Sequence, residues 1–539
     1  MMDKRPVRFF NTTGPCRPEM HYMLPPEERL GGAQLHRYIR DQLYWVLHAP
    51  RQTGKTTFLQ SWARDINVAS NNGDSDRAIA CYVSVERCQG VTETEKAMPG
   101  ICEAIQEYAS SSDLPVPEIS TIDTNSILSN ILRNWSALVA PKPLVVLFDE
   151  VDVLQGKPLI SFLRQLRGGF AIRGVGQFPA SIALVGMRDL KDYITAAKDG
   201  VAPNPGSPFN IKEDSATLSN FQKDDVNRLF AQRTQETGQQ ITQDALDYVY
   251  EQSKGQPWIV NSLFKRATMR ILDEDSAETV TIEHIQEARK QMIEARETHL
   301  DALAYRLEDP AIRSVMETLI TGEPDTRLAA GEPFRLCLDL GLVTIERGSP
   351  VVANPIYREV IARQITFATQ MAIPEPEWKW QKSDGTLDME NLLREFQDFW
   401  RNNSEIWEQQ ADYPEAFPHL LLMAFLQRVT NGHGRIEREY AAGRGRMDLA
   451  VEFNGSWDII EVKLLRQNRT FEMVQAEGKK QILRYRDNFA PTPGKRALRS
   501  SDGGAADCYL VIFDRRSGKL PWSERLKWIQ DEEITVVGC

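Results

Sequence analysis

The octapeptide Ala49-Pro50-Arg51-Gln52-Thr53-Gly54-Lys55-Thr56 constrains the first half of this chain more than any other stretch. It fits a phosphate-binding loop with Ala in place of the first Gly. The apolar and aromatic run Leu43-Tyr44-Trp45-Val46-Leu47 precedes it and reads as a buried strand, and Thr57 to Ala63 follows with helical spacing. Strand, tight loop, helix is the order the chemistry needs, because backbone N–H groups and a helix N-terminus then point at a polyphosphate. Lys55 would reach the β- and γ-phosphates, the Thr56 hydroxyl would bind Mg2+, and Thr57 counts with the loop as part of the same site. Ala49 is a mild departure, since Ala tolerates fewer backbone conformations than Gly. The plainer reading is an ordinary strand-to-helix turn that matches by chance.

A second stretch answers the loop. Leu144-Val145-Val146-Leu147-Phe148 is apolar without alternation, as in a central parallel strand covered on both faces, and ends in Asp149-Glu150. Asp149 at that edge can hold Mg2+, and Glu150 can orient and polarise an attacking water. Another buried strand, Ser181 to Gly186, runs out into Met187-Arg188-Asp189. Arg188 would there face the γ-phosphate, where a planar and always charged fork is suited, or form a structural ion pair with Asp189 or Asp192. In the lead-in, residues 8–30, His21 and Tyr22 could stack on an adenine base, but the packing reading is favoured.

The chain has 539 residues, too many for one hydrophobic core, which implies about three or four domains. We read residues 1–215 as the loop-bearing core, 216–293 as a helical lid and 294–370 as a winged-helix module. Residues 371–387 then form a linker, and 388–539 a second catalytic domain. Gly255-Gln256-Pro257 interrupts the lid helices, and the strand-like runs at 340–345 and 351–353 flank a Gly-Ser-Pro turn. No apolar run approaches the roughly 18 residues of a membrane span, no signal peptide is evident, and the seven cysteines contain no Cys-x-x-Cys pair. These features predict a cytoplasmic protein without a disulfide frame. The net charge of −11 is uneven: residues 435–539 hold 19 Lys+Arg against 16 Asp+Glu, so the C-terminal part is the better candidate to meet polyanions.

There, Asn454-Gly455 separates two β-prone runs, a strong hairpin signal. A two-residue turn pairs Phe453 with Ser456, which sets Asp448 opposite Glu461 and Arg446 opposite Lys463. Directly opposed residues share a face, and Lys463, two residues beyond Glu461, shares it too. Two carboxylates and an ammonium therefore converge as a divalent-metal site requires. A surface hairpin with an exposed Glu461–Lys463 pair is the alternative. A helical stretch follows with Gln481 and Tyr485 at i, i+4, and Lys479, Lys480, Arg484 and Arg486 add positive charge for a phosphate backbone.

The loop at 49–56, Asp149-Glu150, Arg188 and Gly255-Gln256-Pro257 resemble an AAA+ ATPase of the STAND-like, archaeal-ATPase branch. Asp448, Glu461, Lys463, Gln481 and Tyr485 resemble a PD-(D/E)XK nuclease of the Gln-x-x-x-Tyr type found in recombination exonucleases. The linked order resembles bacterial ATPase–nuclease fusions over nearly the full chain. The resemblance implies an α/β protein with a parallel central sheet, helical lid and winged helix, followed by a separate α/β nuclease domain. It also implies ATP and Mg2+ as cofactors, with Mn2+ an alternative at the nuclease site. Pro257 in the lid turn and Arg188 after the sensor strand carry over as nucleotide-site residues. The family's acidic residue on the first nuclease helix has no counterpart in Phe417 to Thr430, which leaves Glu437 or Glu439 as substitutes. The expected partners are DNA, with RNA left open, and further copies of the chain. The expected activity is ATP hydrolysis that governs endo- or exonucleolytic cleavage in defence against foreign DNA or in repair. A regulatory switch that binds nucleic acid without cutting is the alternative.

Overall fold

A computed structural model describes residues 8–539 apart from 31–32, 72–77, 121–122, 188–211, 296–299, 301–302, 304, 322–330, 373–379, 411–416, 431–433, 439–440, 443–444, 447–448, 455, 468, 489–506, 517–519 and 531–532. The chain divides into two compact units, Met1–Ala295 with Leu336–Thr344, and Arg296–Arg335 with Ile345–Cys539.

The first unit is built on five parallel strands, β1 (Tyr44–His48), β2 (Ile79–Ser84), β3 (Leu144–Asp149), β4 (Ser181–Gly186) and β5 (Lys212–Thr217), in the order β2-β3-β4-β1-β5. Side chains alternate between faces, so each strand feeds two cores. Leu144, Val146 and Phe148 pack with α3 (Thr94–Ser111), α4 (Ile127–Leu138) and α5 (Gly156–Phe170). Val145 and Leu147 pack with α1 (Ala33–Arg40) and α2 (Lys55–Asn71) on the other face. This two-sided cover is why β3 is buried at all six positions and carries no alternation in its sequence. On α4 the expected apolar face holds for Ile127, Leu128, Ile131 and Trp135, but Leu138 is exposed at the helix end. Strand β5, Lys-Glu-Asp-Ser-Ala-Thr, has no apolar run to mark it in the sequence; as an edge strand pairing only with β1 it needs little apolar surface.

The lid helices are α6 (Lys223–Thr237), α7 (Gln243–Ser253), α8 (Pro257–Lys265) and α9 (Ile282–Glu294). Pro257 occupies the first turn of α8, where a missing N–H is harmless, and the Gln256 side chain caps it by accepting from Ile259 N at 2.7 Å. The lead-in is pinned to this lid: Phe10 lies 5.0 Å from the Phe264 ring and 5.8 Å from Phe230, and Arg8 pairs with Glu236 at 2.8 Å. Beyond the lid come α10 (Pro310–Thr321), α11 (Glu332–Asp339), a hairpin of β6 (Val343–Glu346) and β7 (Ser349–Val352), and α12 (Pro355–Ala372). The hairpin turns at Arg347 and Gly348, both with positive φ, so Ser349 and Pro350 belong to β7 rather than to the turn. Gly341, within the first unit, approaches the phosphate loop so closely that an added Cβ would lie 2.6 Å from Pro50 Cγ.

The second unit holds a six-stranded mixed sheet of order β14-β15-β13-β12-β11-β8, from β8 (Gly434–Arg438), β11 (Leu449–Phe453), β12 (Ser456–Leu465), β13 (Asp507–Asp514), β14 (Lys527–Gln530) and β15 (Thr535–Gly538). The short β9 (Ala441–Ala442) and β10 (Gly445–Arg446) pair separately. Helix α13 (Met389–Gln410) sets Phe396 and Trp400 against Phe513 on one face, beside α14 (Phe417–Thr430). On the other face α15 (Phe471–Asn488) packs Phe471, Val474 and Ile482 with Ile459, Leu465, Leu510 and Ile512. Part of the expected linker belongs to this unit: Trp380 and Leu387 are buried, and Asn454 Nδ2 donates to Gly385 O at 2.7 Å. Among the described residues, no helix is long and apolar enough to cross a membrane.

Candidate functional site

The phosphate loop spans the gap between β1 and α2. Gly54 adopts φ +94°, which a Cβ would disfavour, while Ala49 keeps an ordinary backbone and donates its N–H to Gly186 O at 3.3 Å. The substitution of Ala for the usual first Gly is thus tolerated because that position here continues the β1–β4 pairing. Lys55 Nζ folds back over the loop and donates to Ala49 O at 2.6 Å and Pro50 O at 2.9 Å. Thr53 Oγ1 donates to Pro50 O at 2.9 Å, and Phe58 N to Gly54 O at 2.9 Å starts the helix. Arg51 and Gln52 are exposed at the tip.

The residues at 149–150 and the loop are brought together. Asp149 has the parity of Val145 and Leu147, so it faces α2, and Thr56 Oγ1 donates to its Oδ2 at 2.7 Å. Tyr82 of β2 shares that face and donates its phenol to the same oxygen at 3.2 Å. The backbone N–H of Glu150 donates to Oδ1 at 2.9 Å. Asp149 is 1% exposed, and burial raises its pKa against the opposing pull of Thr56 and Lys55. Burial also lowers the pKa of Lys55, while Asp149, Asp152 and Glu150 act in the other direction. Glu150 is pushed up to about 7 by burial first, then by Glu86, Asp149 and Asp152. It sits in the left-handed region at φ 58°, ψ 36°, a conformation that costs a non-glycine residue about 1–2 kcal/mol.

Two members of this cluster escaped the sequence reading. Asp152 lies beside the end of β4, where a Cβ on Gly186 would come within 3.2 Å of its Oδ1. Its place three residues after Asp149 was a usable signal. Tyr82 gave none, because an aromatic residue in an alternating strand reads as packing. Pro257 is placed in the lid as described above, and Arg188 lies outside the described residues. For His21 and Tyr22 the favoured packing reading holds. Tyr22 is 1% exposed and packs 4.9 Å from Phe10, while His21 sits edge-on to Phe9 at 4.7 Å with Nδ1 accepting from Arg17 N.

In the second unit the hairpin register is the expected one, with Phe453 opposite Ser456 and Leu449 opposite Ile460. Glu461 and Lys463 have the parity of Ile459 and Leu465 and so face α15. Gly478 lets that helix lie close, since a Cβ there would meet Leu510 Cδ1 at 2.5 Å, and Gln481 follows one turn later. Lys463 Nζ donates to Glu461 Oε1 at 2.7 Å and to Gln481 Oε1 at 2.9 Å. Glu461 is fully buried, so the exposed ion pair weighed as an alternative is not what forms. Asp448, Glu439 and the side chains of Glu437 and Tyr485 lie outside the described residues. Among the described residues no group of three or more His, Cys, Asp or Glu could hold a metal ion. Of the expected phosphate-facing cations, Lys479 and Arg486 lie 3.1 and 3.7 Å from Glu533 carboxylate oxygens, while Lys480 and Arg484 are exposed.

A five-stranded parallel sheet with helices, a phosphate loop after β1 and a carboxylate pair after β3 fits a P-loop ATPase fold. No protein-family model matches the sequence, and no curated protein matches it. Similar solved structures include the Walker-type ATPase of Pyrococcus abyssi, at 13% identity and TM-score 0.46, covering 65% of this chain and 99% of that one. The Drosophila ORC bound to DNA is similar at 17% identity and TM-score 0.35, over 65% of this chain and 87% of that one. The Thermotoga maritima RuvB Holliday junction branch migration motor is similar at 13% identity and TM-score 0.32, over 60% and 90%.

Proposed function

We propose that this chain is a Mg2+-dependent ATPase whose nucleotide cycle governs a C-terminal, metal-dependent DNA nuclease of the PD-(D/E)XK type. The observation that carries the nuclease half is the pair of hydrogen bonds from Lys463 Nζ to Glu461 and Gln481, which joins two residues of β12 to one of α15, all three from the expected constellation. The ATPase half is supported by the contact of Thr56 with Asp149.

The oxygen donors at both places suit a hard divalent cation: a hydroxyl and a buried carboxylate at the loop, and a buried carboxylate on β12. Thr56 and Asp149 would hold Mg2+ at the nucleotide, and Glu461 with Asp448 would hold it at the nuclease site. The ion supplies Lewis-acid neutralisation of phosphate charge when bound. Lys55 exchanges two loop carbonyls for phosphate oxygens, and the loop N–H groups bind the rest of the chain of phosphates. Glu150, with a pKa near neutrality, accepts a proton from the attacking water. Lys463, held by Glu461 and Gln481, would neutralise the charge that develops on a cleaved phosphodiester. The setting we infer is cytoplasmic defence against foreign DNA or repair, with self-association of the chain.

Incubation of the full chain with linear and circular DNA, with and without ATP and with Mg2+, Mn2+ or chelator, tests this reading. Cleavage that needs metal and is lost in Lys463→Ala and Asp448→Ala, with ATP turnover retained, supports it. Lys55→Ala should remove ATP turnover. Binding of DNA without cutting under every metal condition would favour the regulatory switch, and preferential cutting of RNA would replace the substrate.

A further inference from the structure

One guanidinium in the lead-in touches both the phosphate loop and the start of the lid. Arg29 lies in a short helical turn, Pro26–Leu30, ahead of β1. Its Nη1 donates to Thr53 O at 2.8 Å, and its Nε donates to Ser219 O at 2.7 Å, with Nη2 on the same oxygen. Ser219 Oγ returns a bond to Arg29 O at 3.2 Å. The guanidinium carbon lies 5.0 Å from the centre of the Phe221 ring, within cation–π range. It also packs against the loop itself: a Cβ on Gly54 would come within 3.5 Å of Nη1. Burial holds the pKa of Arg29 down at about 10, which leaves it charged at neutral pH.

The contacts continue beyond Ser219. Phe221 N donates to Gly255 O at 2.8 Å, and Gly255 begins the Gly-Gln-Pro turn that starts α8. Thr53 O, Arg29, Ser219, Phe221 and Gly255 thus form a continuous path from the loop to the lid turn. Both partners of the fork are backbone carbonyls, so it reads the position of two chain segments rather than the identity of their side chains. A planar fork with fixed donors senses that geometry in a way a single ammonium does not.

We propose that Arg29 is the positioning residue that makes the lid follow the phosphate loop when nucleotide arrives. This rests on reading 49–56 as the nucleotide site. In the present arrangement Lys55 holds Ala49 O and Pro50 O, and phosphate competes for that ammonium. Release of those carbonyls shifts the loop, the shift moves Thr53 O, and Arg29 passes it to Ser219 and the turn at Gly255.

Hydrogen exchange on the full chain, with and without a non-hydrolysable ATP analogue and Mg2+, tests the coupling in wild type, Arg29→Ala, Arg29→Lys and Lys55→Ala. In wild type the analogue slows exchange both in the loop, residues 49–58, and in the lid turn, residues 253–264. In Arg29→Ala the loop still responds, but the nucleotide-dependent slowing of the lid turn falls by at least about 5-fold, the lower end for coupled sites. Arg29→Lys keeps the charge and the aliphatic stem but not the fork, so it protects the test against misfolding, and it shows the same loss. A purely structural arginine would instead loosen the lid equally with and without nucleotide. Undiminished lid response in either Arg29 variant overturns the proposal, as does a wild type whose loop responds and whose lid does not. If the wild-type loop itself does not respond, the nucleotide site is misplaced and the coupling falls with it. Lys55→Ala, silent in both segments, marks that case apart from loss of coupling alone.

Discussion

Gly255→Ala is expected to be among the most disruptive single-methyl additions in the first unit, and Gly238→Ala provides its control. Both glycines sit in the left-handed region, at φ +73° and +82°. At Gly238 an added Cβ meets nothing within 4 Å, so alanine there loses only the conformational preference, about 1–2 kcal/mol. At Gly255 the same Cβ would lie 1.8 Å from Phe221 O and 2.8 Å from Phe221 C, both backbone atoms that no rotamer can remove. The two segments must part, which breaks the 2.8 Å bond from Phe221 N to Gly255 O. A lost bond with a donor left unpaired costs about 1–3 kcal/mol, so the total is about 2–5 kcal/mol with the conformational term included. Urea unfolding read by hydrogen exchange on peptides of α6 to α8 isolates the lid from the second unit. Equal losses in the two variants would refute the claim that contact with Phe221 requires glycine at 255.

Further outcomes follow from the sites. Glu150→Gln should slow ATP hydrolysis by about 100-fold or more, the usual worth of a general base, while nucleotide binding measured by fluorescence titration persists; unchanged turnover would remove Glu150 from the reaction. Lys463→Ala should reduce DNA cleavage by about 100-fold or more, as loss of one stabilising donor does, without affecting ATP turnover; full cutting would displace the nuclease site. Asp458, 6% exposed, has its pKa raised to about 8 by burial first and then by Asp507, against Lys382. The folded state therefore keeps a proton that the unfolded chain has released, and stability of the second unit should fall as pH rises from about 4 to about 8, by up to about 1.4 kcal/mol per unit. Asp458→Asn should flatten that slope and be more stable than the parent at pH 8; equal slopes in pH-dependent unfolding would refute the assignment.

The local order of the chain by itself determines much of the first unit. A buried strand, a loop with Gly54 and Lys55, and a helix are consecutive, so their arrangement follows from short-range geometry. The Asn454 turn likewise fixed the register of β11 and β12, because a two-residue hairpin leaves one pairing and side chains alternate with period 2. The sequence could also mark Asp149 and Glu150, since an apolar run ending in two carboxylates stands out.

Tertiary structure decided what lies across sequence gaps. That β2 lies beside β3 with Tyr82 on the face of Asp149, that β5 is recruited from a polar segment to the sheet edge, and that Arg29 is held by carbonyls of residues 53 and 219 are all products of long-range packing. None of these residues carries a periodic or compositional signal, because a tyrosine, a polar strand and an arginine each have many ordinary uses. The same holds for Gly478 and Gly255, whose close approaches to Leu510 and Phe221 depend on where a distant element is seated. Nearest-neighbour chemistry writes itself into the sequence; proximity between distant segments is set by how whole layers pack.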